Sequence, residues 1–265
     1  PKNVAMIDRI NHATMRSAEA VRDYSRRDDL VPSEQAALDA IAPEARDRPI
    51  LDIGFGGGRT VKALRAMSDN YLGVDYAEPM VNAARRRFPG VRFEHADARD
   101  LSFVDKGSIF LAVFTCNGLG MVGHEDRLTI LREVHRVLAP GGAFLFSTHN
   151  QNCDDHSAGF RFPEFELSRN PAKLLVRSAR FAKSTLVRAY NRSRFDRFSQ
   201  RSEEYSIIND VFYDYATMMY YITLERQRRQ LVEIGFQPNA KAFDLSGRSI
   251  HSDSTDNTLT FLARK

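Results

Sequence analysis

The sequence is poor in cysteine and has no tryptophan: among its 265 residues only Cys116 and Cys153 are cysteines. Two isolated cysteines lack the spacing of a metal site and are too few for a disulfide framework, so a reducing compartment is expected. No apolar run reaches 18 residues, so no membrane-spanning helix is expected. The first residues are polar and charged rather than signal-like, and we therefore expect a cytoplasmic protein.

Two phosphate-binding signatures are also missing from the glycine-rich stretch that follows the apolar residues 50–53. A dinucleotide fingerprint beginning at Gly54 would need glycine where Arg59 stands, and no GK[ST] follows to form a P-loop. The stretch instead reads D-x-G-x-G-x-G over residues 52–58. Glycines at these positions permit positive φ and let a ligand approach backbone N–H groups at the next helix. We expect a ligand on this turn, the alternative being an ordinary strand-to-helix connection.

Apolar runs alternate with helical patterns through the first half of the chain, which is typical of a parallel sheet with helices on both faces. We predict one α/β domain with an insertion, since 265 residues with 43% hydrophobic content can form one good core. The predicted helices lie near 60–68, 78–88 and 125–138, the last stopped by Pro140-Gly141-Gly142. The predicted strands lie near 50–54, 71–75, 91–95, 109–115, 142–148, 240–245 and 258–263.

Four motifs in this order and spacing resemble the class I S-adenosylmethionine-dependent methyltransferases. They are LDIGFGGG (51–58), GVDYAEPMVNAAR (73–85), FEHADARDL (93–101) and EVHRVLAPGGAFLFSTHN (133–150). The resemblance covers about residues 48–150. It implies a Rossmann-like seven-stranded sheet whose last strand enters antiparallel. It also implies S-adenosylmethionine as cofactor and S-adenosylhomocysteine as product.

The resemblance also implies roles for residues at the carboxyl ends of the strands, where open sheets of this kind bind ligands. Asp75 would hold the ribose hydroxyls, Tyr76 would lie against the adenine, and Asp97 would accept from the adenine amino group near the Ala98 N–H. Asp52 would sit close to the methionine end, through water. The remaining candidates for cofactor binding are Gly54, Phe55, Gly56, Thr115, Cys116 and Asn117.

The chain outside this core is predicted to cover the site. Residues 1–48 read as a helical cap, with one helix from Val4 to Arg27 and a second opened by Ser33 as N-cap. Tyr24 faces the active site or merely packs the cap. Residues 151–221 form an insertion or lid, and 222–265 supply the closing helix and strands. Residues 169–201 hold ten lysines and arginines against one acid, a charge of +9 that leaves the remainder at −5.

A small-molecule N- or O-methyltransferase is the function that the sequence favours, and the basic insertion suggests an acidic or phosphorylated acceptor. The alternatives are an RNA methyltransferase that uses this insertion and an inactive cofactor-binding module. The fourth-strand tip, Asn117-Gly118-Leu119-Gly120, lacks the [DN]-P-P-[YFW] arrangement of base-amino methyltransferases.

The sequence offers one residue for proton removal, His149, just past the fifth strand. A general base there predicts an acidic limb near pH 6–7. Tyr220 or Tyr221 is expected to shape the acceptor pocket, and Tyr221 is the catalytic candidate of the two. His124 and His135 are interpreted as surface and packing residues. Because no acidic partners cluster near them, no metal site is expected.

Overall fold

A computed structural model describes residues 2–153 and 159–265 of the chain. The helices are α1 (Lys2–Met15), α2 (Ala18–Ser25), α3 (Pro32–Ala45), α4 (Val61–Met67), α5 (Glu78–Arg87), α6 (His124–Val137), α7 (Pro171–Phe195), α8 (Phe212–Tyr215) and α9 (Leu224–Ile234). The strands are β1 (Ile50–Ile53), β2 (Tyr71–Asp75), β3 (Phe93–His95), β4 (Ile109–Phe114), β5 (Leu138–Asn150), β6 (Gln200–Arg201), β7 (Ser206–Asp210), β8 (Thr217–Ile222), β9 (Lys241–Phe243), β10 (Ser249–Ile250) and β11 (Thr258–Arg264).

The strands form one mixed sheet with the order β10-β9-β11-β5-β4-β1-β2-β3. Strands β1 to β5 pair in parallel, whereas β11 pairs antiparallel with β5 on one side and with β9 on the other. The predicted α/β architecture and the antiparallel entry of the last strand are therefore confirmed. The sheet exceeds the expected seven strands by β10 and by the inserted strands β6, β7 and β8.

Alternate residues of the central strands pack into two apolar layers, one on each face of the sheet. On one face Leu51 and Ala112 contact the buried side of α6 and α9, and on the other Ile50 and Leu111 contact α3, α4 and α5. The near-continuous apolar runs in β1 and β4 follow from this two-sided burial. Helices thus cover both faces, as predicted.

Strand β5 is longer than the predicted 142–148, because pairing with β4 begins at Leu138 as soon as α6 ends. Pro140-Gly141-Gly142 does end the helix, but it lies inside the strand as an irregularity. The register shifts between Ile109 and Leu111 on the neighbouring strand at this point. The predicted end of the helix was therefore correct, and the predicted start of the strand at residue 142 was wrong.

The N-terminal region differs from the prediction in two details. The segment from Val4 to Arg27 forms two helices, because Ser17 interrupts it and caps α2 by accepting a hydrogen bond from the Ala20 N–H at 3.1 Å. Ser33 is not the N-cap of α3, since Val31 occupies that position and Ser33 lies within the first turn. Its hydroxyl instead accepts a hydrogen bond from Thr260 on β11.

Helix α1 is fastened to the insertion rather than to the central sheet. The buried Asn11 donates hydrogen bonds to the carbonyls of Met121 and Met218, and its own oxygen accepts from the Met218 N–H at 2.8 Å. Apolar side chains of α1, including Ile7 and Ile10, pack against β7 and β8. The first helix and the insertion, about 200 residues apart in the chain, therefore form one layer.

The insertion adds three strands to the sheet at the carboxyl end of β5. Strand β8 pairs in parallel with the last two residues of β5, His149 with Tyr221 and Asn150 with Ile222, past the point where β4 has ended. Strands β7 and β6 then continue outward by antiparallel pairing. Among the helices in 2–153 and 159–265, none is long and apolar enough to cross a membrane.

Candidate functional site

The glycine turn after β1 is held open by a carboxylate on the neighbouring strand. Gly54 and Gly56 have φ values of 61° and 56°, a conformation that L side chains rarely adopt. The buried Asp75 accepts hydrogen bonds from the backbone N–H groups of Gly56, at 2.9 Å, and of Ala77, at 2.8 Å. Burial raises the pKa of Asp75 to about 6, although both hydrogen bonds favour the charged form. The tip of β2 therefore fixes the shape of the turn.

Helix α2 lies directly on this turn, and Gly57 allows the close approach. A Cβ on Gly57 would stand only 2.3 Å from the backbone nitrogen of Ser25. A Cβ on Gly56 would meet the Tyr24 ring at 3.1 Å. The density of glycine in the sequence thus serves two purposes, the bend of the turn and its contact with the N-terminal cap.

A cleft with an empty volume of about 760 Å³ opens beside the turn at the carboxyl ends of β1, β2 and β4. Three of its lining residues, Asp8, Met15 and Tyr24, come from the N-terminal helices α1 and α2. The predicted cofactor residues that line it are Gly54, Gly56, Asp75, Tyr76, Asp97, Ala98, Thr115 and Cys116.

Three predicted cofactor residues do not line this cleft. Asp52 is buried beneath the turn, where its Oδ2 accepts hydrogen bonds from the hydroxyls of Thr60, at 2.5 Å, and Tyr71, at 2.8 Å. The Phe55 ring points into the apolar layer and packs on Phe93 at a centroid distance of 4.7 Å. Asn117 does not line the cleft although its neighbours Cys116 and Gly118 do, and its side-chain amide donates to the Thr258 hydroxyl at 3.1 Å.

Arg59, the residue that replaces the third glycine of a dinucleotide fingerprint, forms a buried ion pair with Glu34 of α3. The two hydrogen bonds between them measure 2.6 and 2.8 Å. Arg59 also donates to the Thr115 hydroxyl, and Glu34 accepts from the Cys116 N–H at 3.4 Å. This pair therefore joins the cap, the glycine turn and the end of β4.

The sequence analysis did not identify Arg99 as part of the cleft. It lines the cleft and holds Asp97 with both Nε and Nη2, at 2.5 to 3.0 Å. It also pairs with Asp8 of α1 and Asp126 of α6. These hydrogen bonds lower the pKa of Asp97 despite partial burial. The D-A-R spacing was visible in the sequence, but the partners on α1 and α6 are known only from the fold.

A second cavity, of about 880 Å³, adjoins the cleft. The two share the side chains of Tyr24, Cys116 and Met121 as a common wall. The rest of the second cavity is built by the ends of β5, β7 and β8, with two arginines and one aspartate among its polar residues. Its further lining residues are Arg27, Asn117, His149, Arg161, Asp210, Val211, Phe212, Met219, Tyr221 and Asn257.

His149 and Tyr221 lie side by side in the second cavity because β5 and β8 pair at these residues. Their rings stack at a centroid distance of 4.8 Å, and the Tyr221 hydroxyl donates to Asp210 Oδ2 at 2.5 Å. Burial lowers the pKa of His149, while Asp210 and the Asn257 backbone act in the opposite direction. Tyr220 points to the other face of β8, where its hydroxyl bonds His124 at 2.8 Å, so of the two tyrosines only Tyr221 lines the second cavity.

Two buried polar atoms at the second cavity lack a hydrogen-bond partner among the residues that the structure describes: the Nδ1 of His149 and the Oδ1 of Asn117. Buried polar atoms are nearly always satisfied by protein, water or ligand. The residues that carry these two atoms line the second cavity, although the atoms themselves are buried. Within the described part of the chain, no three His, Cys, Asp or Glu side chains come together in a way that could hold a metal ion.

Comparisons with known proteins agree with this geometry. Residues 50–142 match the family model of a methyltransferase domain. A demethylmenaquinone methyltransferase from Clavibacter sepedonicus is 40% identical over 119 residues, 43% of this chain and 46% of that protein. A fatty-acid O-methyltransferase from Mycolicibacterium smegmatis is 30% identical over 158 residues, 58% and 54% of the two chains. The chain thus spans about half the length of the curated relatives it matches.

A solved structure extends the likeness beyond the matched domain. The crystal structure of an S-adenosylmethionine-dependent methyltransferase from Mesorhizobium loti superposes with a TM-score of 0.57 and 21% identity. The match covers 88% of this chain and 98% of that one, and at this identity it shows the shared fold. Residues 50–142, which contain the glycine turn and β1 to β4, thus match a methyltransferase domain, and the chain as a whole shares the fold of a solved S-adenosylmethionine-dependent methyltransferase.

Proposed function

We propose that this chain transfers a methyl group from S-adenosylmethionine to a nitrogen or oxygen atom of a small-molecule acceptor in the second cavity. The observation that carries the proposal is the common wall of Tyr24, Cys116 and Met121 between the two cavities. The cofactor, when bound, supplies an electrophilic methyl group, so the chain mainly has to exclude water and align an acceptor lone pair. The N-terminal cap and the insertion would do so by covering both cavities.

The cleft fits the cofactor by the chemistry of its polar groups. Each oxygen of Asp75 accepts one backbone N–H, and a carboxylate has about four lone-pair positions, so two remain for ribose hydroxyls. Tyr76 offers an aromatic face, and Asp97 with the Ala98 N–H offers an acceptor and a donor for a purine edge. Gly54 and Gly56 leave room at the turn for the remaining part of the molecule.

Asp75→Ala is expected to weaken S-adenosylhomocysteine binding at least roughly a hundredfold. The change removes the acceptors for two hydroxyls, at about 1.5–3 kcal/mol each, and releases the Gly56 and Ala77 N–H groups. Titration calorimetry measures the effect directly. Asp100→Ala is the control, because Asp100 is exposed and does not line the cleft. This variant should bind S-adenosylhomocysteine as the unchanged chain does. Equal affinities for the two variants would remove Asp75 from the site.

The acceptor is proposed to carry a carboxylate or phosphate. Among the described residues that line the second cavity, the charged side chains are Arg27, Arg161 and Asp210, and the Asp210 carboxylate accepts a hydrogen bond from Tyr221. The bases that the sequence analysis singled out for this purpose lie elsewhere. Arg177 pairs with Glu166, and Arg188 pairs with Asp214 at 2.6 Å. The names of the relatives, a fatty-acid and a demethylmenaquinone methyltransferase, support a small organic acceptor.

His149 is proposed as the proton acceptor when the acceptor atom is a hydroxyl or a protonated amine. Its Nδ1 is the ring nitrogen without a partner in the described residues, and the imidazole bonds the Asn257 backbone. A neutral imidazole that donates to a carbonyl through one nitrogen keeps a lone pair on the other. Tyr221 and Asp210 would hold the ring in this orientation.

The RNA alternative finds less support than it had from the sequence. The basic helix α7 presents apolar side chains outward, Leu175 and Leu186 among them, where a nucleic-acid interface would present bases and hydrogen-bond donors. We therefore retain the small-molecule function as the proposal.

Val211→Trp tests the proposed division between the two cavities. Val211 is half-buried and lines the second cavity but not the cleft, so the indole should fill acceptor space only. We expect the acceptor KM to rise at least about tenfold, with S-adenosylhomocysteine affinity within about twofold of the original. Turnover is measured as S-adenosylhomocysteine formed with each member of a panel of carboxylic acids, phenols and amines. We expect the carboxylic acids to be the preferred acceptors.

The matched control is Val232→Trp, an exposed position on α9, which should change neither quantity. Binding of S-adenosylhomocysteine without turnover of any acceptor would favour the inactive cofactor-binding module instead. An unchanged KM for Val211→Trp would show that the acceptor binds outside the second cavity.

A further inference from the structure

Helix α7 is 25 residues long, yet it contains no buried residue. One side of it is half-buried and faces the insertion, and the other side is open to solvent. Helices in folded domains normally bury an apolar stripe and expose a polar one. Helix α7 departs from this pattern, because its solvent side carries five large apolar side chains, Leu175, Val176, Leu186, Val187 and Tyr190.

The inner side of α7 carries the apolar Leu174, Phe181 and Phe195, and its polar side chains contact α8 and Arg161. Arg188 pairs with Asp214, Ser184 donates to the same carboxylate, and Asn191 donates to the Asp214 carbonyl. Asp214 lies in α8, where residues 213–215 all have positive φ. Such a conformation costs roughly 1–2 kcal/mol per residue. These contacts explain how the turn is maintained, and they orient the helix.

The outer side of α7 forms an apolar stripe that we call the docking face: Leu175, Ala179, Leu186 and Tyr190. Their spacing of four, seven and four residues places them on one line along the helix. Leu175 and Leu186 are each 72% exposed and Tyr190 is 61% exposed. Val176 and Val187 border the stripe and are exposed as well. A contiguous exposed apolar surface of this kind marks an interaction site.

The charge around the docking face has one sign. Helix α7 contains seven lysines and arginines and no acid. Arg177 and Arg188 are neutralised by Glu166 and Asp214, whereas the described residues provide no carboxylate partner for Lys173, Arg180 or Lys183. Apolar side chains flanked by unpaired cations are the features of a helix that lies in the interface of an anionic membrane.

We propose that the docking face and its flanking bases bind the surface of a bilayer of anionic phospholipids. The apolar stripe would enter the boundary between headgroups and acyl chains, and Lys173, Arg180 and Lys183 would contact the phosphates. A second copy of this chain is a poorer occupant, because it would bring seven further cations against these and no acid from the same helix. The opposite, inner side of α7 adjoins the second cavity, since Arg188 donates to the carbonyl of Arg161, which lines it.

Sedimentation with vesicles tests the proposal on the full chain. We expect binding to vesicles of phosphatidylglycerol and phosphatidylcholine in a 40:60 ratio, and at least about tenfold weaker binding to phosphatidylcholine alone. A base near an anionic surface contributes about fivefold to partitioning, so changing Lys173, Arg180 and Lys183 to glutamine should weaken binding about a hundredfold. The matched control changes Arg46, Lys106 and Lys241, exposed bases on other elements, and should stay within about threefold.

The apolar contribution is tested by the double variant Leu175→Ser with Leu186→Ser, which should abolish vesicle binding. The control is Phe103→Ser with Val232→Ser, two exposed positions outside α7, which should leave vesicle binding unchanged. Circular dichroism on the same samples shows whether the variants are folded. Their S-adenosylhomocysteine affinity is a separate test of the methyltransferase proposal, so the two proposals can fail independently. Equal binding to both kinds of vesicle, or no binding, overturns the proposal. So does a dimer in light scattering that the Leu175 and Leu186 changes convert to a monomer.

Discussion

Glu34→Gln is expected to lower the free energy of unfolding by about 3–5 kcal/mol. The substitution keeps the size of the side chain but leaves the guanidinium of Arg59 buried without a counter-charge, and both side chains are almost fully enclosed. Since the same carboxylate accepts the Cys116 N–H, the end of β4 should loosen too. Urea unfolding followed by circular dichroism gives the change.

Glu44→Gln is the matched control. Glu44, whose side chain is 53% exposed, pairs with the partly exposed Arg264 at the surface, and surface pairs contribute only about 0.2–1 kcal/mol. If the two variants lose the same stability, the Glu34–Arg59 pair is not the connection between cap and turn that its geometry indicates.

His149→Ala is expected to lower kcat by about 10²–10⁴-fold for an acceptor that must lose a proton, the usual contribution of a general base. The base must be neutral to accept a proton, so activity should fall as the pH drops through its pKa. Burial lowers that pKa below the ordinary value of about 6.5, which moves the acidic limb below the pH 6–7 expected from the sequence. In the variant, this limb should be absent.

His124→Ala is the control for His149, since His124 bonds Tyr220 and lines neither cavity. Tyr221→Phe keeps the stacked ring and removes the hydrogen bond to Asp210, so a smaller loss with a displaced limb is expected. S-adenosylhomocysteine affinity should be the same in all three. Full kcat and an unchanged pH profile in His149→Ala would show that proximity alone suffices.

The central sheet could be predicted from the sequence because its signals are local. The apolar runs of β1, β2 and β4 are buried on both faces of the sheet. The glycine turn is recognisable because four of the five residues 54–58 are glycines. Asp75 follows from the same reasoning, since it ends an apolar run beside the turn. These features depend on neighbours in the chain, which is why their positions were accurate to within a residue or two.

The second cavity could not be predicted in the same way, because strands far apart in the chain build it. The pairing of β8 with β5 decides that Tyr221 enters the cavity and Tyr220 does not, and a strand shifted by one residue would exchange them. Asp210 and Arg161 come from segments without a strong pattern. The burial of Arg127 in α6, outside the second cavity, was not predicted either, since nothing in the sequence of this helix distinguishes Arg127 from the exposed bases beside it.

The common wall between the cavities has a thermodynamic consequence. Tyr24, Cys116 and Met121 each touch both spaces, so a molecule that shifts one of them on one side changes the free energy of binding on the other. Linkage makes this coupling reciprocal: whatever factor the acceptor imposes on cofactor affinity, the cofactor imposes on the acceptor. Tyr24 also belongs to the helix that rests on the glycine turn, so a ligand that moves this helix from either cavity should change the affinity of the other cavity for its own ligand.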